Sequence, residues 1–104
     1  MSERGLVAMF TNCSDPAREG EFRRWYVETH IPDVLATPGM AEAQMYENIA
    51  PKEGEARYVA LYQTEGDPGR VVADLMSRMP QLAAQGRLID YLSIVSMKTF
   101  RAEG

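Results

Sequence analysis

Two side chains of this sequence that occur only once, Trp25 and His30, lie five residues apart in a segment that reads as one amphipathic helix. Imidazole is the only side chain whose unperturbed pKa lies near neutrality, so a histidine is the natural general acid or base at working pH. Pro32 disfavours helical geometry at Ile31, which predicts that the helix ends at about that residue and leaves His30 at its C-terminus. A helix C-terminus favours the imidazolium. Asp33, three residues on, can orient the ring or raise its pKa. The chemistry this suggests is proton transfer at an enolisable carbonyl. The plainer alternative is an imidazole that caps the helix and fixes the bend.

Other chemistries have less support. Cys13 stands just before the helix, where the dipole can lower a thiol pKa. The intervening helix, at 1.5 Å per residue, holds it about 25 Å from His30, so a Cys-His nucleophilic pair within one chain is not expected. With one His and one Cys, the chain lacks the several soft ligands that zinc or iron sites require. A haem needs a single axial histidine, but no cluster of basic residues is present to hold its propionates. No cofactor is expected. A glycine-rich phosphate loop and a Ser-His-Asp constellation are both missing.

The chain has 104 residues, with 11 Lys and Arg against 15 Asp and Glu and a net charge of −4. That length predicts one domain spanning 1–104. The acidic balance argues against nucleic acid, which demands a basic face. No apolar run approaches the about 20 residues that cross a bilayer, and no secretory signal pattern opens the sequence. With one cysteine and no intramolecular disulfide possible, the expectation is a cytoplasmic protein that binds no membrane.

The elements that must position these groups follow from periodicity. Residues 5–12 alternate faces and read as a first strand. Asp15 and Pro16 form a helix start, with Asp15 as cap and Pro16 at the first helical position. Asp33 to Ala36 adds one short turn before the Pro38-Gly39 break. Residues 40–50 and 57–65 are the next strands. Asp67-Pro68 opens a second helix with an apolar stripe of Val72, Leu75, Met79 and Leu82. Pro80 threatens a kink, Gly86 ends the helix, and residues 88–100 form a last strand. The order β-α-β-β-α-β is the ferredoxin-like plan, an α+β sandwich with a four-stranded antiparallel sheet.

One sheet face lies under the helices and the other needs a cover. If the loop between the middle strands centres on Glu53, Gln44 faces Tyr62, Tyr46 faces Ala60 and Asn48 faces Tyr58. Ala41, Ala43, Met45, Val59 and Leu61 then pack under the helices. Gln44, Tyr46, Asn48, Tyr58, Tyr62 and Thr64 form an aromatic and polar face suited to a partner sheet or a lined cavity. A slip of one residue reverses the assignment.

The pattern Trp25-Tyr26-x-x-x-His30-x-Pro32-x-x-Leu35-x-x-Pro38-Gly39, with the strand ending Met9-Phe10-Thr11-Asn12 before it and Tyr46 after it, resembles the EthD-like group of the dimeric α+β-barrel superfamily. The resemblance covers nearly the whole chain. It implies a homodimer whose sheets face each other to close a barrel, with a pocket in each subunit between sheet and helices. Relatives of that architecture include polyketide cyclases, muconolactone isomerases and cofactor-free monooxygenases, and fold alone does not choose among them.

With the helix running back along the sheet, its C-terminus falls near the end of the third strand, beside Tyr62 and Thr64 and with Gln44 across the hairpin. The resulting expectation is a cofactor-free isomerase, cyclase or lyase acting on a small aromatic or polyketide-like carbonyl compound. His30 is the acid/base, Asp33 its orienter and Tyr62 the donor to a developing enolate oxygen. Gln44 and Tyr46 hold the substrate. The alternatives are a module that binds a hydrophobic metabolite without chemistry, and a pathway accessory protein acting through its dimer surface.

Overall fold

The computed structural model describes residues 3–104. Strand β1 (Arg4–Cys13) leads through a 3-10 turn (Pro16–Arg18) into α1 (Glu19–Trp25), a π-helical turn (Tyr26–His30) and α2 (Ile31–Leu35). Then come β2 (Met40–Glu47), β3 (Tyr58–Glu65), α3 (Pro68–Ala84) and β4 (Leu92–Arg101). The four strands form one sheet in the order β2-β3-β1-β4, with every neighbouring pair antiparallel. This is the expected ferredoxin-like α+β plan. Three strands are shorter than their sequence suggested: β2 stops at Glu47, β3 begins at Tyr58, and residues 88–91 precede β4.

Local signals account for the element ends. The Asp15 carboxylate accepts the Ala17 N–H at 3.1 Å and the Asp67 carboxylate accepts that of Gly69 at 3.1 Å, each with proline at the following position. Both are ordinary N-caps. The break before β2 depends on Gly39, whose φ is 91°. A Cβ there would stand 2.5 Å from Val71 Cγ2 and 2.9 Å from the Glu65 carbonyl oxygen, so only glycine fits.

The hairpin register differs from expectation by one residue. Gln44 pairs with Leu61, Tyr46 with Val59 and Ala43 with Tyr62. The pairing continues to Asn48, whose N–H donates to the Arg57 carbonyl at 2.7 Å. The loop axis therefore passes between Lys52 and Glu53 rather than through Glu53. Displacing that centre by half a residue exchanges the two faces of a strand. Tyr58, Ala60, Tyr62 and Thr64 are buried beneath the helices, while Val59 and Leu61 lie with Gln44 and Tyr46 on the other face.

The core is thus built between the helices and the inner face of the central strands. Val7, Met9 and Thr11 of β1 stand opposite Tyr62, Ala60 and Tyr58 of β3. Phe22, Tyr26 and Val34 cover them from the first helical layer, and Val71 and Leu75 from α3. The outer face carries Leu6, Ala8 and Phe10 of β1 beside Leu61 and Val59. Tyr46, Val95 and Phe100 are each 44–51 % exposed. No described helix is long and apolar enough to cross a membrane.

Candidate functional site

The first helical layer does not end at His30. His30 (φ −71°, ψ −50°) and Ile31 (φ −57°, ψ −48°) are both helical, and the layer runs on to Leu35. The Ile31 N–H reaches back five residues to the Tyr26 carbonyl, the signature of a π turn. The wider turn relieves the usual conflict between a proline ring and the carbonyl four residues before it.

Packing explains why the turn lies here. Phe22, Tyr26, His30 and Val34 are all buried, at a strict spacing of four. At about 100° per residue in an α-helix, Val34 would lie about 120° around the axis from Phe22. One extra residue in the turn removes about 100° of that drift. All four side chains then face the sheet.

His30 sits inside this stripe. Its ring stacks on Trp25 (centroids 4.7 Å, planes 17° apart) and meets Tyr26 edge-on (5.1 Å, 82°). The Trp25 indole, which donates to the Arg87 carbonyl at 2.9 Å, is thereby fixed. Nδ1 of His30 is buried without a hydrogen-bond partner among the described residues. Burial lowers the His30 pKa from 6.5 to about 4, against an opposing pull from the Asp33 charge. The imidazole is neutral at neutral pH, which reverses the expectation drawn from a helix C-terminus.

Asp33 acts on the ring through its charge alone. Its carboxylate accepts Arg87 Nε at 2.6 Å, and its carbonyl accepts Arg78 Nη1 at 2.8 Å. Arg78 Nη1 also donates to Thr37 Oγ1 at 2.6 Å. Asp33 therefore clamps the end of the helical layer to α3 and the turn after it, and the expected orienting bond to imidazole is not formed.

Four hydroxyls share the layer beneath the helices. Thr11 Oγ1, Tyr26 Oη, Tyr62 Oη and Thr64 Oγ1 are buried and, like His30 Nδ1, lack a hydrogen-bond partner among the described residues. Buried polar atoms are rarely left this way. Burial raises the pKa of Tyr26 and of Tyr62, and the Tyr62 and Thr11 hydroxyls draw that of Tyr26 partly back down. The Tyr26 hydroxyl is thus close enough to both to feel them, although none of the three makes a hydrogen bond of ordinary geometry. Tyr58, two pleats away on β3, is different: its hydroxyl donates to Glu19 Oε1 at 2.8 Å.

Gln44 and Tyr46 stand elsewhere. They line a surface hollow of about 320 Å³ at the β2 edge, whose other wall is Val27 and Ile31 from the outer side of the π turn. A second hollow of about 400 Å³ opens on the outer sheet face between Phe10, Tyr46, Val95 and Lys98. His30 and Tyr62 line neither. The chain therefore brings His30 and Tyr62 into one layer with Tyr26, Thr11 and Thr64, and leaves Gln44 and Tyr46 on the opposite face of the sheet. Sequence reasoning missed Thr11 and Tyr26 as members of the polar layer. The spacing of Tyr26 four before His30 was the signal available.

Other side chains noted in the sequence are structural. Cys13 Sγ donates to the Asp15 carbonyl at 3.1 Å. Among the described residues no three His, Cys, Asp or Glu side chains are grouped as metal ligands would be.

A family model described as a domain of unknown function, DUF4286, matches residues 9–68, which hold the second half of β1, the first helical layer, β2 and β3. The chain belongs to the DUF4286 family. No curated protein matches it in sequence. Its fold is shared by HapK from Hahella chejuensis, at 14 % identity over 96 % of this chain and 91 % of that one, with a TM-score of 0.67. MupZ from Pseudomonas fluorescens matches at 14 % identity over 95 % of this chain and 68 % of its own, with a TM-score of 0.60. An ethyl tert-butyl ether D (EthD) family protein from Bacillus halodurans C-125 matches at 16 % identity over 92 % and 96 %, with a TM-score of 0.53. The EthD-like resemblance read from the DUF4286 chain's sequence thus holds at the level of the α+β fold.

Proposed function

We propose that this protein catalyses cofactor-free proton transfer on a small aromatic or polyketide-like carbonyl compound, as an isomerase, cyclase or lyase. The observation that carries the reading is the set of five buried polar atoms with no hydrogen-bond partner among the described residues. A folded protein keeps such atoms at a cost of about 1–3 kcal/mol each, and a guest that hydrogen-bonds them recovers it. Four are hydroxyls and the fifth belongs to a neutral imidazole, a set matched to a carbonyl and the enolate derived from it.

In this reading His30 removes a proton from the carbon next to the carbonyl. The C–H electron pair becomes the enolate double bond, and the carbonyl oxygen takes the negative charge under the Tyr62 hydroxyl. Return of the proton from the imidazolium to another carbon completes an isomerisation. Attack of the enolate carbon on a second carbonyl of the same molecule gives cyclisation: the carbonyl π pair becomes an alkoxide, which takes the proton back from the imidazolium. A desolvated neutral imidazole is a weak base at rest, but the enolate charge growing beside it in a low-dielectric space raises its proton affinity as reaction proceeds. Asp33 adds to that pull through space and anchors the helix end. Gln44 and Tyr46 line the hollow outside the π turn, where the substrate is first held before it enters the polar layer. Wide turns of this kind are frequent at functional sites, and this one walls the hollow with its outer side.

The exposed Tyr46, Val95 and Phe100 support a homodimer in which a second copy covers the outer sheet face. Sedimentation should give the mass of two chains, and a monomer at micromolar concentration would defeat that part of the reading.

The test of the reaction is exchange of the α-protons of β-tetralone with deuterated solvent, followed by NMR. Wild type should accelerate exchange over buffer, and His30→Ala should lose at least about 100-fold of that acceleration. A His30→Ala protein that keeps its fold and exchanges at the wild-type rate overturns the catalytic role. A second reading is supported by the separation of the Gln44–Tyr46 hollow from His30: a module that binds a hydrophobic metabolite without changing it. Saturable binding of β-tetralone with no exchange would favour that one.

A further inference from the structure

The hollow of about 400 Å³ on the outer sheet face contains neither His30 nor Tyr62, and proton transfer makes no use of it. Its floor is one cross-strand row. Tyr46 of β2 pairs with Val59 of β3, Val59 with Phe10 of β1, and Phe10 with Ser96 of β4. All four border the hollow, so the row crosses the whole sheet. Between β1 and β4 the register skips Val95, a β-bulge next to Ser96. Consecutive residues of a regular strand point to opposite faces. At this bulge both Val95 and Ser96 border the hollow. The β2–β3 loop adds a side wall at Gly54, Glu55 and Ala56.

The polar groups around this floor divide by chemistry. The acceptors are taken. Glu47 receives Arg23 Nη2 at 3.1 Å and Arg57 Nη2 at 3.2 Å, and Glu55 Oε1 receives the Lys52 N–H at 2.9 Å. Asn48 Oδ1 accepts the Ala50 N–H at 3.1 Å. The donors are free. Lys98 Nζ stands 5.9 Å from the centroid of the Phe10 ring, which holds the ammonium over the floor. Among the described residues it has no ion-pair partner, and the hydroxyls of Ser96 and Tyr46 make no hydrogen bond.

We propose that this hollow is a second binding site, one for a small aromatic carboxylate. The ring of the ligand lies on Phe10, Val59 and Val95. Its carboxylate takes the Lys98 ammonium and the Ser96 hydroxyl, which face outward from β4 opposite Ala8 and Phe10. The volume and the make-up, an apolar floor with a few polar groups, are those of small-molecule pockets. An unpaired cation supplies the counter-charge that a carboxylate needs when its ring leaves water. Glu55, which has no ion pair among the described residues, is the opposing charge on the rim. Every wall belongs to one chain, so the site stands apart from the homodimer, which would close over it.

Titration of isotope-labelled protein with β-naphthoate, followed by amide NMR, tests the site. Saturable shifts should centre on Phe10, Val59, Ser96 and Lys98, with one ligand per chain. β-Naphthamide, the uncharged counterpart, should bind about 3- to 10-fold more weakly. Lys98→Gln should cost β-naphthoate the same factor and leave β-naphthamide unchanged, while Glu55→Gln should tighten β-naphthoate about 2-fold. Both side chains are exposed, so neither change disturbs the core. Equal affinity of the two compounds for the wild type overturns the proposal, as does unchanged β-naphthoate binding to Lys98→Gln. Shifts confined to other residues also overturn it. So does the lack of any saturable shift, the result if a second copy fills the hollow. Because His30 and Tyr62 lie outside the hollow, failure of this site leaves the proton-transfer reading intact, and failure of exchange leaves this site intact.

Discussion

The two helical layers each contain an exposed proline and accommodate it differently. Before Pro32 the chain widens into a π turn; α3 passes through Pro80 as an α-helix from Pro68 to Ala84. Proline alone therefore does not compel the π turn. The difference lies in the stripes. The buried residues of α3 are Pro68, Val71, Leu75 and Leu82, steps of three, four and seven that suit 3.6 residues per turn. Those of the first layer are Phe22, Tyr26, His30 and Val34, steps of four only. An unbroken α-helix cannot keep such a stripe on one face. What the wide turn secures is the inward position of a tyrosine and a histidine with unmet hydrogen bonds, while the buried side chains of α3 are all apolar. One layer serves chemistry and the other serves stability.

The sharpest way to break that division is to truncate each layer once. Leu75→Ala in α3, at a position 2 % exposed, should cost about 2–5 kcal/mol in urea denaturation and leave exchange per folded molecule unchanged. His30→Ala should show the converse, with the loss in exchange stated above. Equal loss of exchange in both variants would mean that the layers are not specialised.

Acid should act on the first layer through His30. Its pKa is about 4 in the folded chain and 6.5 when exposed, so on acidification the unfolded form takes up the proton first. Stability from this residue is complete above about pH 6.5 and is lost as pH falls toward about 4, a total of about 3 kcal/mol. His30→Phe should remove that slope from the pH dependence of unfolding. Exchange of β-tetralone by wild type should hold steady down to about pH 5 and decline below it, because the base is neutral throughout. A rate that falls below pH 7 would show an imidazole exposed to solvent.

The prolines give a smaller contrast. Pro80→Ala restores a helix hydrogen bond and should stabilise by about 1–3 kcal/mol. Pro32 stands at the start of α2, where a missing N–H is tolerated, so Pro32→Ala should change stability by less than about 1 kcal/mol. Retention of the His30 resonance positions in the Pro32→Ala protein would confirm that packing, rather than the ring, sets the π turn.

Legibility in the sequence follows the same lines. Element order, the caps at Asp15 and Asp67 and the break at Gly39 are fixed within a few residues of chain, and each is found as read. The helix end was misplaced at Pro32 because the rule before proline is local, whereas the reward for continuing the helix is tertiary. The hairpin face was exchanged because half a residue in the loop centre, invisible in composition, decides which side Tyr62 takes. Asp33 pairs with Arg87 across 54 residues, and nothing near either one announces it. His30 and Tyr62 were still brought into one layer by chain direction, which survives a register slip; Gln44 and Tyr46 were not.

The finest test concerns the cost of keeping the polar layer. Tyr62 Oη and Thr64 Oγ1 are buried and unmet by the described residues, so their removal should stabilise the free protein. Tyr62→Phe and Thr64→Val preserve shape and should each add about 1 kcal/mol, raising the melting temperature by about 4–8 °C. Tyr58→Phe is the control in the same strand, because its hydroxyl is satisfied by Glu19 and should lose about 1 kcal/mol. Opposite signs for Tyr62→Phe and Tyr58→Phe would locate the strain in the layer under the π turn, as expected of a site held ready for a guest. If both variants lose stability alike, the Tyr62 hydroxyl is bonded within the free protein, and the case for a carbonyl guest at that position fails with it.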